Sequence, residues 1–316
     1  MTAKLHQRIL AATIAAASLW IAVAAAAETP SLPASSSSSA PAAAAVPPAS
    51  LVLARPSEPE DPCRSTAVAA VPTRPTWDFP AATTQCGIVE TDYGFLGQPM
   101  GGGVNQQVAV TSLRYGLTPK LDLRLALTNR IFQNGGGTAS LQGSGDQWLS
   151  ARYRFHEQGR VTPAMAFVYG AKVPTANPAK GFGTGFVDHQ FLFIASRDLG
   201  HYHLDFDTIG TLAGGPRGHD GAAQFGLLLT RPLTPKLSAI LEGYGGPQPG
   251  TPDRFGAGLA GVCFALRPQL VIDGAYSKTY TAGSPRQQFI VGFTYAARAP
   301  FSPLPSSSAF ARLLGR

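Results

Sequence analysis

The residues best spaced for chemistry are His201, His203, Asp205 and Asp207, which fall at every second position of HYHLDFD. In an extended strand, residues two apart share a face at roughly 7 Å, so two histidines could hold a metal with a third ligand from a neighbouring strand. No third ligand can be identified, and the inner wall of a barrel is itself a ladder of polar residues. The wall reading is therefore preferred, and no metal or cofactor is expected. A second constellation joins Arg114, Asp122, Arg124, Arg130, Arg152, Arg154, Glu242 and Asp273 to the same two aspartates. On one interior surface these charges would form a constriction that selects solutes, or salt bridges that fill a narrow lumen. The two readings are compatible.

Enzymatic chemistry finds less support. A hydrolytic centre needs serine, histidine and an acid or amide within reach. No His-x-Ser pair falls on a strand, and His156, His189, His201, His203 and His219 are scattered. Gly181-Phe182-Gly183-Thr184-Gly185 lacks the Lys-Ser/Thr and the helix that would make it a phosphate loop. No catalytic residue is assigned, and the chain is not read as an enzyme.

The elements that must position these groups are strands. Leu121, Leu123, Leu125 and Leu127 alternate with Asp122, Arg124, Ala126 and Thr128, the period of two of a strand with one apolar face. Thr118-Pro119-Lys120 supplies a tight turn before it. About twelve such runs follow one another from Gln85, each near the roughly 9–11 residues that cross a bilayer as a tilted strand. Their approximate bounds are 86–96, 106–117, 121–132, 146–156, 161–172, 185–197, 201–212, 222–233, 237–245, 254–266, 270–280 and 286–297. Every second connection is short, from 118–120 to 267–269. The others, at 97–105, 133–145, 173–184, 213–221, 246–253 and 281–285, are longer and rich in Gly, Pro and Asn. Short turns on one side and long loops on the other predict an all-β, up-and-down antiparallel transmembrane β-barrel, with apolar faces outward and the charged faces lining the lumen.

Composition agrees. Of 316 residues only 14% are charged, against about 25% in typical soluble domains, and 35 are glycine. Met1–Ala27 has a basic start, an apolar stretch and a small-residue cleavage site before Glu28, which predicts a cleaved export signal. Its removal takes Lys4 and Arg8, lowering the formal charge by two, from +7 to +5. That charge is spread thinly, so nucleic acid is not an expected partner. Residues 28–84, rich in Pro, Ser and Ala, predict a disordered periplasmic spacer. The barrel is expected over 85–298, with a C-terminal extension at 299–316. Cys63 and Cys86 can pair in an exported protein, closing a short loop ahead of the barrel, while Cys263 reads as a small apolar side chain.

Gly145-Asp146-Gln147-Trp148 through Tyr153, Ala171-Lys172-Val173-Pro174-Thr175, Gly183-Thr184-Gly185, Ser196–Gly200 and the terminal Ile290–Tyr295 run resemble the outer-membrane barrel family labelled "MetA-pathway of phenol degradation". The resemblance covers about residues 85–298. It implies the outer membrane of a Gram-negative bacterium, lipid and the barrel-assembly machinery as partners, and passage of small, often hydrophobic compounds. The chain departs from the common barrel pattern by continuing past its last strand, so assembly would use an internal signal. The expected function is a narrow pore or facilitator for a small-molecule solute. A structural or adhesive barrel without transport and a lipid-modifying barrel enzyme are the alternatives.

Overall fold

The computed structural model describes residues 63, 67–248, 254–280 and 287–300. Expectations for the signal peptide, for most of 28–66 and for 301–316 lie outside these residues. Alternating apolar and polar side chains give thirteen strands: β1 Ile88–Gly101, β2 Val104–Thr118, β3 Leu121–Gly135, β4 Leu141–Gly143, β5 Gln147–His156, β6 Ala164–Val173, β7 Asp188–Leu199, β8 Tyr202–Gly215, β9 Gly218–Pro232, β10 Leu237–Pro247, β11 Arg254–Arg267, β12 Leu270–Thr279 and β13 Gln287–Arg298. Each long strand pairs antiparallel with its sequence neighbours, and β1 pairs with both β2 and β13. Twelve long strands thus close a barrel with no free edge. The short β4 adds to β3 beside its upper end.

The wall is polarised inside out relative to a soluble protein. Tyr93, Phe95, Leu113, Leu123, Leu149, Phe167, Phe191, Leu241, Phe264, Ile272, Phe289 and Phe293 are exposed on the outer face. Glu90, Asp92, Arg114, Asp122, Asp205, Asp207 and Thr294 on the inner face are each no more than 2% exposed. A closed sheet satisfies its own backbone, and an apolar exterior around a polar interior is the surface a bilayer accepts. The described residues contain no helix long and apolar enough to cross a membrane.

Three expectations need correction. Connections 97–105 and 213–221 are not long loops: the strands run on through them and turn within Gly102-Gly103 and Pro216-Arg217. Arg130 does not line the lumen. The β2–β3 register shifts between Ala109 and Val110, leaving Asn129 unpaired. Such an extra residue reverses the side-chain alternation beyond it. Ile131 therefore points inward and is buried, whereas Arg130 is exposed, over the ring of Phe132 and bonded to Gln142. Residues 67–84 are not a disordered spacer: they lie inside the barrel, against its inner wall.

Candidate functional site

The luminal segment, residues 67–85, has no regular secondary structure, so its amides must find partners elsewhere. The wall supplies them. The amides of Trp77 and Asp78 donate to Glu242, at 2.9 and 3.1 Å for Trp77 and 2.6 Å for Asp78. Phe79 N–H donates to Asp207 Oδ2 at 2.8 Å, Ala81 N–H to Ser196 Oγ at 2.7 Å and Thr84 N–H to Asp122 Oδ2 at 2.7 Å. Val71 N–H donates to Glu90 at 3.1 Å. In return Arg114 donates to Val71 O at 2.8 Å and Arg152 to Pro80 O at 2.9 Å. Trp77 stacks on Tyr244 with ring centroids 5.2 Å apart, and Trp77, Phe79 and Ala81 pack against Leu192, Ile194 and Ile209.

Close approach is built into the wall. A Cβ at Gly226 would overlap the Asp78 carboxylate, and Cβ atoms at Gly94 and Gly292 would overlap the Arg74 guanidinium. The segment enters and leaves at the short-turn end of the barrel. Ala70 N–H bonds Pro268 O in the β11–β12 turn, and Thr83 Oγ1 bonds Pro119 O in the β2–β3 turn. Cys63 and Cys86 are joined by a disulfide, which ties the two ends of the inserted loop together.

The lumen charges are mostly paired. Arg114, 1% exposed, meets Glu90 at 2.5 Å and Asp92 at 3.1 Å. Arg152 meets Asp122 at 2.5 Å, and Arg74 lies 3.7 Å from Asp273. Arg154 bonds Pro119 O and pairs with Glu157, both at the short-turn rim. His203 sits between Asp198 and Asp205, at 2.6 and 3.1 Å, and Asp205 also takes a bond from Ser196. His201 is exposed in the turn before β8, so the two histidines do not face one another across the wall. His189 faces outward, its Nδ1 2.9 Å from Tyr169 Oη.

Above the segment lies a cavity of about 290 Å³ against β3, β5, β6 and β7, floored by Phe79 and Thr73. Farther toward the long loops, Lys172 is buried and meets Asp188 at 2.6 Å, Asp146 at 3.5 Å and Thr184 Oγ1 at 2.8 Å. The connection 174–187 turns inward there. A short 3-10 helix, Pro178–Lys180, is capped by Asn177, and Phe182 is buried with Ile131, Ala176 and Val108.

Of the residues expected to line the lumen, the structure brings Arg114, Asp122, Arg124, Arg152, His203, Asp205, Asp207, Glu242 and Asp273 to the inner wall. Arg154 stands at its rim, and Arg130 and His201 stand outside it. Glu90, Asp92, Ser196, Lys172 and the whole luminal segment were not anticipated. Glu90 and Asp92 carry a readable signal, because they alternate with Val89, Thr91 and Tyr93. The segment carries none: Arg74-Pro75-Thr76-Trp77-Asp78-Phe79-Pro80 has no period, and most of what it offers the wall is backbone amides, which any sequence would supply.

No protein-family model matches the chain, and neither does any curated protein. Solved structures do. An outer membrane channel from Pseudomonas putida F1 superposes with a TM-score of 0.54 at 12% identity, covering 70% of this chain and 100% of that one. The NanC porin, at a TM-score of 0.45 and 7% identity, covers 66% of this chain and 98% of its own. The CymD monoaromatic hydrocarbon channel, at 0.39 and 10%, covers 68% and 89%. The first likeness is one of fold, and the other two are too distant to bear on function.

Proposed function

We infer that the protein is an outer-membrane channel for small solutes whose lumen is narrowed by its own residues 67–85. The observation that carries this reading is the cavity of about 290 Å³ lying between the luminal segment and the charged wall. Barrels of about eight strands are filled by side chains, while those of sixteen or more leave an open channel. With twelve strands the interior exceeds what side chains fill, and a peptide segment takes up part of the difference. The segment is held by hydrogen bonds, stacking and one disulfide at its base, an arrangement that can shift without unfolding the wall.

On this reading the short turns face the periplasm, the connection 174–187 faces outward from the cell, and the Met1–Ala27 export signal is removed. The barrel is not an enzyme. The resemblance to the phenol-degradation barrel family extends the proposal to solutes with a hydrophobic or aromatic body. The competing reading is a sealed structural or adhesive barrel, favoured by the occupied lumen. Purified protein in liposomes separates the two. Conductance or solute uptake above that of empty vesicles supports a channel, and a silent barrel defeats it.

A further inference from the structure

The cavity above the luminal segment has a composition that selects one kind of guest. Arg114 and Arg152, which line it, are engaged by Glu90, Asp92 and Asp122. Arg124 is different. Its Nε donates to Ser112 Oγ at 2.8 Å, and its guanidinium lies over the Phe79 ring, 4.9 Å from the centroid. Among the described residues it forms no ion pair within 4.0 Å. The bond at Nε fixes the stem and leaves the terminal nitrogens without a hydrogen-bond partner among the described residues. A guanidinium held this way offers a planar fork matched to a carboxylate.

Apolar side chains form one part of the remaining lining and polar ones the other. Trp148, Val168, Leu192 and Ala126 face the space, Thr73, Ser150 and Gln190 are its neutral polar groups, and its one carboxylate, Asp122, is held by Arg152. The volume is at the lower edge of the roughly 300–1,000 Å³ of small-molecule sites, which suits a guest of about benzoate size. An unpaired cation beside an apolar wall prefers an anion with a hydrophobic body over a neutral aromatic or a free inorganic anion.

The geometry points to a binding site for small monocarboxylates with an apolar body, the carboxylate on Arg124 and the body against Trp148 and Leu192. This deepens the channel reading and rests on it, since the site lies on the path between the long loops and the luminal segment. Binding is nevertheless separable from passage. Titration of the intact, detergent-solubilised protein by calorimetry, with benzoate, hexanoate, acetate, phenol and benzylamine as probes, should give saturable binding of benzoate and hexanoate. Acetate and phenol should bind at least tenfold more weakly, and benzylamine not at all.

R124Q should weaken benzoate at least tenfold, with R124K recovering part of the loss. G170L, which fills the cavity while leaving Arg124 in place, should abolish binding and covers the case in which R124Q fails to fold. R130Q, on the outer face, should leave binding unchanged. Equal affinity for benzoate and phenol, or unchanged benzoate binding in both R124Q and G170L, overturns the site. Uptake of labelled benzoate by proteoliposomes is the second arm. Binding without uptake defeats the channel reading and leaves the site standing, whereas uptake without saturable binding does the reverse.

Discussion

Glu242 is the strongest single anchor of the luminal segment, and its loss has a size that can be worked out. Its carboxylate accepts from two backbone amides, Trp77 N–H on both oxygens and Asp78 N–H at 2.6 Å. The side chain is on β10, and the residue is 3% exposed. Each buried amide left without its acceptor costs about 1–3 kcal/mol, so E242A removes about 2–6 kcal/mol from docking of the segment. Water entering the vacated space offsets part of this, which leaves roughly 2–4 kcal/mol. At about 1.4 kcal/mol per tenfold, the ratio of docked to released segment falls by about 30- to 1,000-fold. Stacking of Trp77 on Tyr244 is untouched, and E242Q, which keeps one acceptor oxygen, should show about half the effect in free energy. Amide hydrogen exchange read by mass spectrometry measures this ratio directly. Peptides spanning 77–85 should exchange faster by that factor in E242A, while strand peptides keep their rates. Unchanged exchange over 77–85, or equal acceleration throughout the barrel, would refute the anchoring role.

Asp78 should behave in the opposite sense. Both its carboxylate oxygens are buried without a hydrogen-bond partner, beside Asp205, Asp207 and Glu242, so D78N should slow exchange over 77–85 or leave it unchanged. Cys63 and Cys86 are 23 residues apart, and opening a loop of that length should cost about 3 kcal/mol by the chain-entropy account; C63S/C86S should lower stability to urea and speed exchange in 67–85 before any strand. Arg114 is the partner of two buried carboxylates, so R114M should cost about 3–5 kcal/mol in urea unfolding from bilayers, and E90Q/D92N added to it should restore part of that loss.

The barrel was legible because lipid imposes a strict alternation. In β3, Leu121 and Leu123 against Asp122 and Arg124 announce which face is which, and the same holds for Leu149 against Arg152 in β5. Legibility ends where one residue breaks the period. Asn129 adds a single position, and the polar character of Arg130 no longer reports its side. His201 shows the same limit at a strand end, where the alternation continues in sequence but the backbone has already turned. In β7 the inner face carries Leu192 and Ile194 because the luminal segment covers them, so that strand is apolar on both sides and its alternation is blurred. The segment itself looked like a linker because alanine, threonine and proline dominate it. Its order comes from acids more than a hundred residues away, Asp207 and Glu242, accepting bonds from its backbone. Side-chain pattern does not encode those bonds.

On the channel reading, residues 67–85 restrict passage through the lumen they occupy. Single-channel recording in planar bilayers of the intact chain beside E242A/G226V, in which the anchor is lost and a valine side chain stands where Asp78 must pack, tests it directly. A small conductance is expected for the intact chain and a several-fold larger one for the variant. Equal conductance in the two would contradict that reading.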